Sequence, residues 1–167
     1  PRLVPRVLPK LVFSLQMNFP EHNYLYHDSA LSIPEYVKQT RFDAILLDVT
    51  FLCARWAGEN NFKKRLAEYA FVADSDAVKI AFPQDEYDCH QLLDDWMCSW
   101  KVDVVFSVIA SAWDVLYPRY HLVGDIRLGY TGYIDETLLS WVPKAFGDRS
   151  IDIGYRARKF PPYFGRL

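Results

Sequence analysis

The sequence predicts an α/β domain, a three-layer α/β/α Rossmann-like (flavodoxin-like) fold with a mainly parallel sheet of about five strands. Three observations predict it. Several short segments are apolar without a break, as strands covered on both faces require. The segments between them repeat apolar residues at helical spacing, and the two kinds alternate along the chain.

The strands are read at residues 42–49, 77–82, 102–109 and 126–130, with 23–26 as a fifth candidate. Between the first two, Phe62, Leu66, Tyr69, Ala70 and Ala73 fall at i, i+4, i+7, i+8 and i+11, which predicts a helix over 61–73 with Lys63, Lys64 and Glu68 on its wet face. A second helix follows Asp88, its stripe formed by Leu92, Leu93, Trp96, Met97 and Trp100, with Asp94 and Asp95 outward. A short helix over 111–117 is stopped by Pro118, and Asp135 caps another that ends before Pro143. Residues 10–17 fit either a strand or one face of a helix, because so short a run carries no decisive period. Ser32 with Pro34 and Glu35 reads as a capping box for a helix to Gln39. Sustained alternation implies right-handed crossovers, a doubly wound sheet and ligands beyond the carboxyl ends of the strands.

At 167 residues the chain fits one domain, and 51% apolar with 16% aromatic residues supplies a large core. Its apolar runs fall far short of the roughly 20 residues that span a bilayer, so no transmembrane segment is predicted. The start, Pro1-Arg2-Leu3-Val4-Pro5-Arg6, lacks the apolar region of a signal peptide, and the chain reads as a piece of something longer. Cys53, Cys89 and Cys98 share no C-x-x-C spacing and read as free thiols in a reducing, cytoplasmic compartment. Asp88-Cys89-His90 has no second ligand pair at a usable spacing, so no metal is expected. The net charge of −2 conceals basic ends, Arg2, Arg6 and Lys10 at one and Arg149, Arg156, Arg158, Lys159 and Arg166 at the other, around an acidic middle. An acidic body does not attract nucleic-acid backbones, and nucleic-acid binding is set aside.

The densest polar cluster is Gln84-Asp85-Glu86-Tyr87, which Pro83 leads into the expected crevice. Two carboxylates and an amide there can accept from a sugar hydroxyl or, with a pKa raised by burial, take its proton. Acids in that place also suit a helix N-terminus, which they complement electrostatically. Asp48 ends a strand where receiver domains of two-component signalling carry a phosphorylatable aspartate. The acidic pair and the lysine that a receiver also needs are missing, for 13–17 has no carboxylate and Gly129-Tyr130-Thr131 stands in the lysine's place. A helix cap is the alternative for Asp48. The glycines of 128–133 permit a sharp turn or a close backbone approach but lack the spacing of a phosphate cradle. Arg156, Arg158 and Lys159 suit diphosphate oxygens, or form a solvated tail.

Taken in order, Phe42-Asp43 before a strand, Gln84-Asp85-Glu86-Tyr87, Thr131-Gly132-Tyr133 and Asp152-Ile153-Gly154-Tyr155-Arg156-Ala157-Arg158 resemble the N-terminal half of bacterial group 1 and spore-maturation-like glycosyltransferases. The resemblance implies two Rossmann-like halves facing across a cleft, the first holding the sugar acceptor and the second a nucleotide-sugar donor, with no cofactor. Residues 1–148 would form the acceptor-side domain, and 149–167 a linker or first strand leading into a C-terminal donor domain, without which the half is inactive. It further implies catalytic roles for Asp85 and Glu86, substrate contacts from Gln84, Tyr87, Asp48, Thr131, Gly132 and Tyr133, and a donor-phosphate or linker role for Arg156 and Arg158. The glycine-rich turn that often follows the first strand in this architecture is not visible. A non-catalytic domain that binds a ligand or a protein, and a receiver-like switch at Asp48, are the competing expectations.

Overall fold

The computed structural model describes residues 13–129, 140, 142–151 and 153. The chain forms two units, Pro1–Tyr133 and Ile134–Leu167. In the first, β1 (Ala44–Leu47), β2 (Val78–Ala81), β3 (Val104–Ser107) and β4 (Asp125–Leu128) make one parallel sheet in the order β1-β2-β3-β4. Leu47 pairs with Ala81, Ala81 with Val105 and Val105 with Ile126, forming one row across all strands. The parallel α/β architecture is therefore present, with four strands among the described residues rather than about five.

Residues 23–26 are not a strand. The Tyr24 hydroxyl lies 3.2 Å from the Leu15 carbonyl and 3.0 Å from that of Phe19, and the Tyr26 ring meets Phe13 edge-on at 4.6 Å. These contacts fasten the segment to α1 (Ser14–Asn18), which settles the later part of 10–17 as helix; residues 10–12 lie outside the described set. α2 (Glu35–Gln39) follows Pro34 at its N-cap position, and Ser32 makes no capping bond to it.

Because each strand lies beside its predecessor on the same side, right-handed crossovers carry the connecting helices to one face. That face holds Ile45, Leu47, Ala81, Val105 and Ile126, packed with Leu52, Phe62, Leu93, Trp96 and Tyr117 in a single core. Burying each large apolar side chain there contributes about 1.5–3 kcal/mol. The alternate strand residues Leu46, Val78, Ile80, Val104 and Phe106 are equally apolar but stand outside this core, and Leu46 and Val78 are 42% and 45% exposed. The expected double winding is thus not seen among the described residues: the strand order has no reversal, and on the second sheet face Leu46 and Val78 are exposed while Ile80, Val104 and Phe106 are half-buried. The apolar runs are continuous because both faces are apolar, not because both are covered by these helices.

The predicted helix over 61–73 is two helices, α4 (Glu59–Glu68) and α5 (Ala70–Ala73), with α3 (Val49–Leu52) and a 3₁₀ turn (Cys53–Ala57) before them. The break is at Tyr69, whose φ of −106° and ψ of 20° leave the helical region while its ring packs edge-on against Phe51 at 5.2 Å. α6 (His90–Trp100) buries Leu93, Trp96, Met97 and Trp100 as its stripe predicts. Asp94, expected outward, is instead buried: its Oδ1 accepts from the backbone N–H of Tyr120 at 2.8 Å and of Arg119 at 3.2 Å. A buried carboxylate is tolerated there because it satisfies the amides that open the turn Tyr120–Leu122. α7 (Trp113–Leu116) is the short helix before Pro118. The helix assigned to Asp135 and the end of strand 126–130 at Tyr130 lie outside the described residues.

In the second unit, Phe146–Asp148 form a 3₁₀ turn, with the Arg149 guanidinium 5.6 Å from the Phe146 ring and its Nε donating to the Lys144 carbonyl at 3.1 Å. Among the described residues no helix is long and apolar enough to cross a membrane.

Candidate functional site

All four strands end at one edge of the sheet, so the polar residues after them gather along it. Asp48 follows β1 and caps α3. Its Oδ1 accepts from Thr50 N–H at 3.0 Å, Phe51 N–H at 3.2 Å and the Thr50 hydroxyl at 2.6 Å. The chain leaving β2 passes the buried Pro83 and enters the loop Gln84-Asp85-Glu86-Tyr87-Asp88. Asp85 and Cys89 take left-handed backbone conformations, φ 48° and 51°, which non-glycine residues adopt only when their surroundings hold them there.

Arg55 does the holding. It is fully buried, and it donates Nε–H to the Asp88 carbonyl at 3.0 Å, an Nη1 hydrogen to Leu52 at 3.0 Å, and Nη2 hydrogens to Gln84 and, at 3.0 Å, Asp85. The Trp56 ring lies 5.0 Å away from its guanidinium carbon. Four backbone carbonyls thus replace water around the cation, three of them from the one loop. Burial lowers the Arg55 pKa, with Cys53 and Tyr117 opposing that shift.

Glu86 ties the same loop to β3. Also fully buried, it accepts on Oε1 from the Ser107 hydroxyl at 3.0 Å and Val108 N–H at 2.7 Å, and on Oε2 from the Tyr117 hydroxyl. Burial and then the Glu86 charge push the Tyr117 phenol far above its ordinary value. Between these anchors Gln84 and Asp85 are half-buried and Tyr87 is exposed. Burial raises the Cys53 thiol, opposed by Arg55 and reinforced by Asp48 and Asp85, so both carboxylates lie within electrostatic reach of this thiol.

The site residues read from sequence divide accordingly. Asp48, Gln84, Asp85, Glu86 and Tyr87 share the carboxyl edge, whereas Thr131, Gly132, Tyr133, Arg156 and Arg158 lie outside the described residues. Gly129 follows β4 beside Phe106, where a Cβ would come within 2.7 Å of the Phe106 Cβ, so this position requires glycine. A hollow of about 520 Å³ next to α7, with Trp113, Asp114, His121 and Asp125 in its wall, holds none of the sequence-read residues. Arg55, Ser107 and Tyr117 are the members that sequence reasoning missed. The available signal for Arg55 was a lone cation amid Phe51-Leu52-Cys53-Ala54 and Trp56-Ala57. Among the described residues no group of three or more His, Cys, Asp or Glu side chains is placed to hold a metal ion.

Fold and site together define a parallel α/β domain with an internally braced polar loop at the carboxyl edge of its sheet. No family model, curated protein or solved structure matches the chain.

Proposed function

We propose that this domain is the acceptor-side half of a two-domain sugar transferase in which Asp85 orients or deprotonates an acceptor hydroxyl. The observation that supports this reading is the bracing of the Gln84–Asp88 segment by Arg55, which holds Asp85 half-buried in a left-handed conformation at the sheet edge. A carboxylate held in advance loses little entropy when substrate arrives. Glu86 then serves the loop rather than the substrate, because its oxygens are spent on Ser107, Val108 and Tyr117. Gln84 and Tyr87 flank the acceptor, Asp48 lies nearby, and Thr131, Gly132 and Tyr133 complete the acceptor side. Arg156 and Arg158 meet the donor diphosphate where the second half begins. A fifth strand extends the sheet of a Rossmann-like fold, and the free thiols of Cys53, Cys89 and Cys98 suit a bacterial cytoplasm.

The exposed Leu46 and Val78 on the second sheet face favour a second reading, a non-catalytic binding domain whose partner covers them. Saturation-transfer NMR with a panel of mono- and oligosaccharides separates the two. The transferase reading expects sugar signals that Asp85→Asn removes; absence of signal from every sugar favours the binding domain.

A further inference from the structure

We propose that a hollow beside α4 binds a small hydroxylated oxyanion, a carboxylate or a phosphate monoester. The hollow measures about 550 Å³, and Ser29, Ser32, Ile33, Lys38, Arg65 and Glu68 stand in its wall. It shares no residue with the carboxyl-edge loop, so the inference does not depend on the transferase reading.

Arg65 carries the argument. Its side chain is half-buried, with the guanidinium carbon 6.0 Å from the Phe51 ring, yet no carboxylate among the described residues lies within ion-pair distance. One N–H donates to the Ser29 hydroxyl at 2.5 Å, which leaves most of the five-donor fork unspent. A guanidinium held against an aromatic ring with its donors unspent is matched by a planar two-oxygen anion. Lys38 adds a second cation to the wall, shared with Glu35 at 3.3 Å. The Ser32 hydroxyl has no partner among the described residues and supplies a further donor. Glu68 stands one helical turn beyond Arg65 without pairing to it, placed to accept from a ligand hydroxyl while repelling a bare anion. Ile33 gives the hollow an apolar side, as small-molecule sites generally have.

The test is amide and arginine Nε NMR of the full chain titrated separately with inorganic phosphate and with citrate. Saturable shifts at Ser29, Ser32 and Arg65 are expected, and the anion that produces them identifies the oxyanion class. Arg65→Gln should weaken binding roughly tenfold, the loss of one charge-assisted pair. Glu68→Gln should strengthen it severalfold by removing a like charge. Ser32→Ala, which leaves Arg65 on Phe51, should weaken it without altering the fold. Shifts that stay linear with both anions, or binding that Arg65→Gln and Ser32→Ala both leave unchanged, would overturn the proposal.

Discussion

The Tyr117 hydroxyl donates to Oε2 of Glu86 with neither side chain exposed to solvent, linking α7 to the loop after β2. Removing either partner strands the other. Tyr117→Phe leaves Oε2 without its donor and should cost about 1–3 kcal/mol in urea denaturation. Glu86→Ala strands the Val108 N–H as well as the Tyr117 hydroxyl and should cost more. Because the two residues share one bond, the double variant should fall short of the summed single losses by roughly 0.5–3 kcal/mol. Strict additivity would show that the bond carries no net stability.

Alkaline stability follows from the same phenol. Tyr117 and Tyr120 both have pKa values raised in the folded state, chiefly by burial. The folded protein therefore keeps protons that the unfolded chain releases near the ordinary tyrosine pKa of about 10. Their contribution is whole below that pH and is lost as pH rises above it, by about 1.4 kcal/mol per pH unit for each phenol that titrates only on unfolding. Tyr117→Phe should flatten this decline in a chemical-denaturation series from neutral to alkaline pH.

Arg55→Met should be among the most damaging single changes, because it leaves the carbonyls of Gln84 and Asp88 without their donor and takes one from those of Leu52 and Asp85. A loss of about 3 kcal/mol or more is expected. Arg55→Lys cannot reach all four and should retain the fold while raising hydrogen exchange across 84–89. Unchanged exchange in that segment would show that Arg55 does not brace it.

The two faces of β1 should respond differently. Leu47→Ala removes a core side chain and should cost about 2–5 kcal/mol. Leu46→Lys places charge at an exposed position on the opposite face and should cost under about 1 kcal/mol by denaturant titration. Equal losses would show that the Leu46 face is covered.

Sequence showed most clearly what periodicity encodes. The α6 stripe of Leu93, Trp96, Met97 and Trp100 and the apolar cores of all four strands lie where spacing places them. Spacing does not report which neighbour a strand pairs with, so the unreversed order was hidden. Pattern also misread Asp94, because its reward lies in the amides of Arg119 and Tyr120, over twenty residues away. For the site, Gln84 to Tyr87 was legible as a polar cluster after a strand, but the division of labour between Asp85 and Glu86 was not. That division rests on Arg55, Ser107 and Tyr117, contributions from three other parts of the chain.

The most direct measurement compares nucleoside diphosphate release from nucleotide sugars, with an acceptor present, by the complete protein and its Asp85→Asn and Glu86→Gln variants. The account predicts that Asp85→Asn loses turnover at an unchanged melting temperature, while Glu86→Gln melts earlier but still turns over when cold. Turnover that survives Asp85→Asn and vanishes in a folded Glu86→Gln would contradict it.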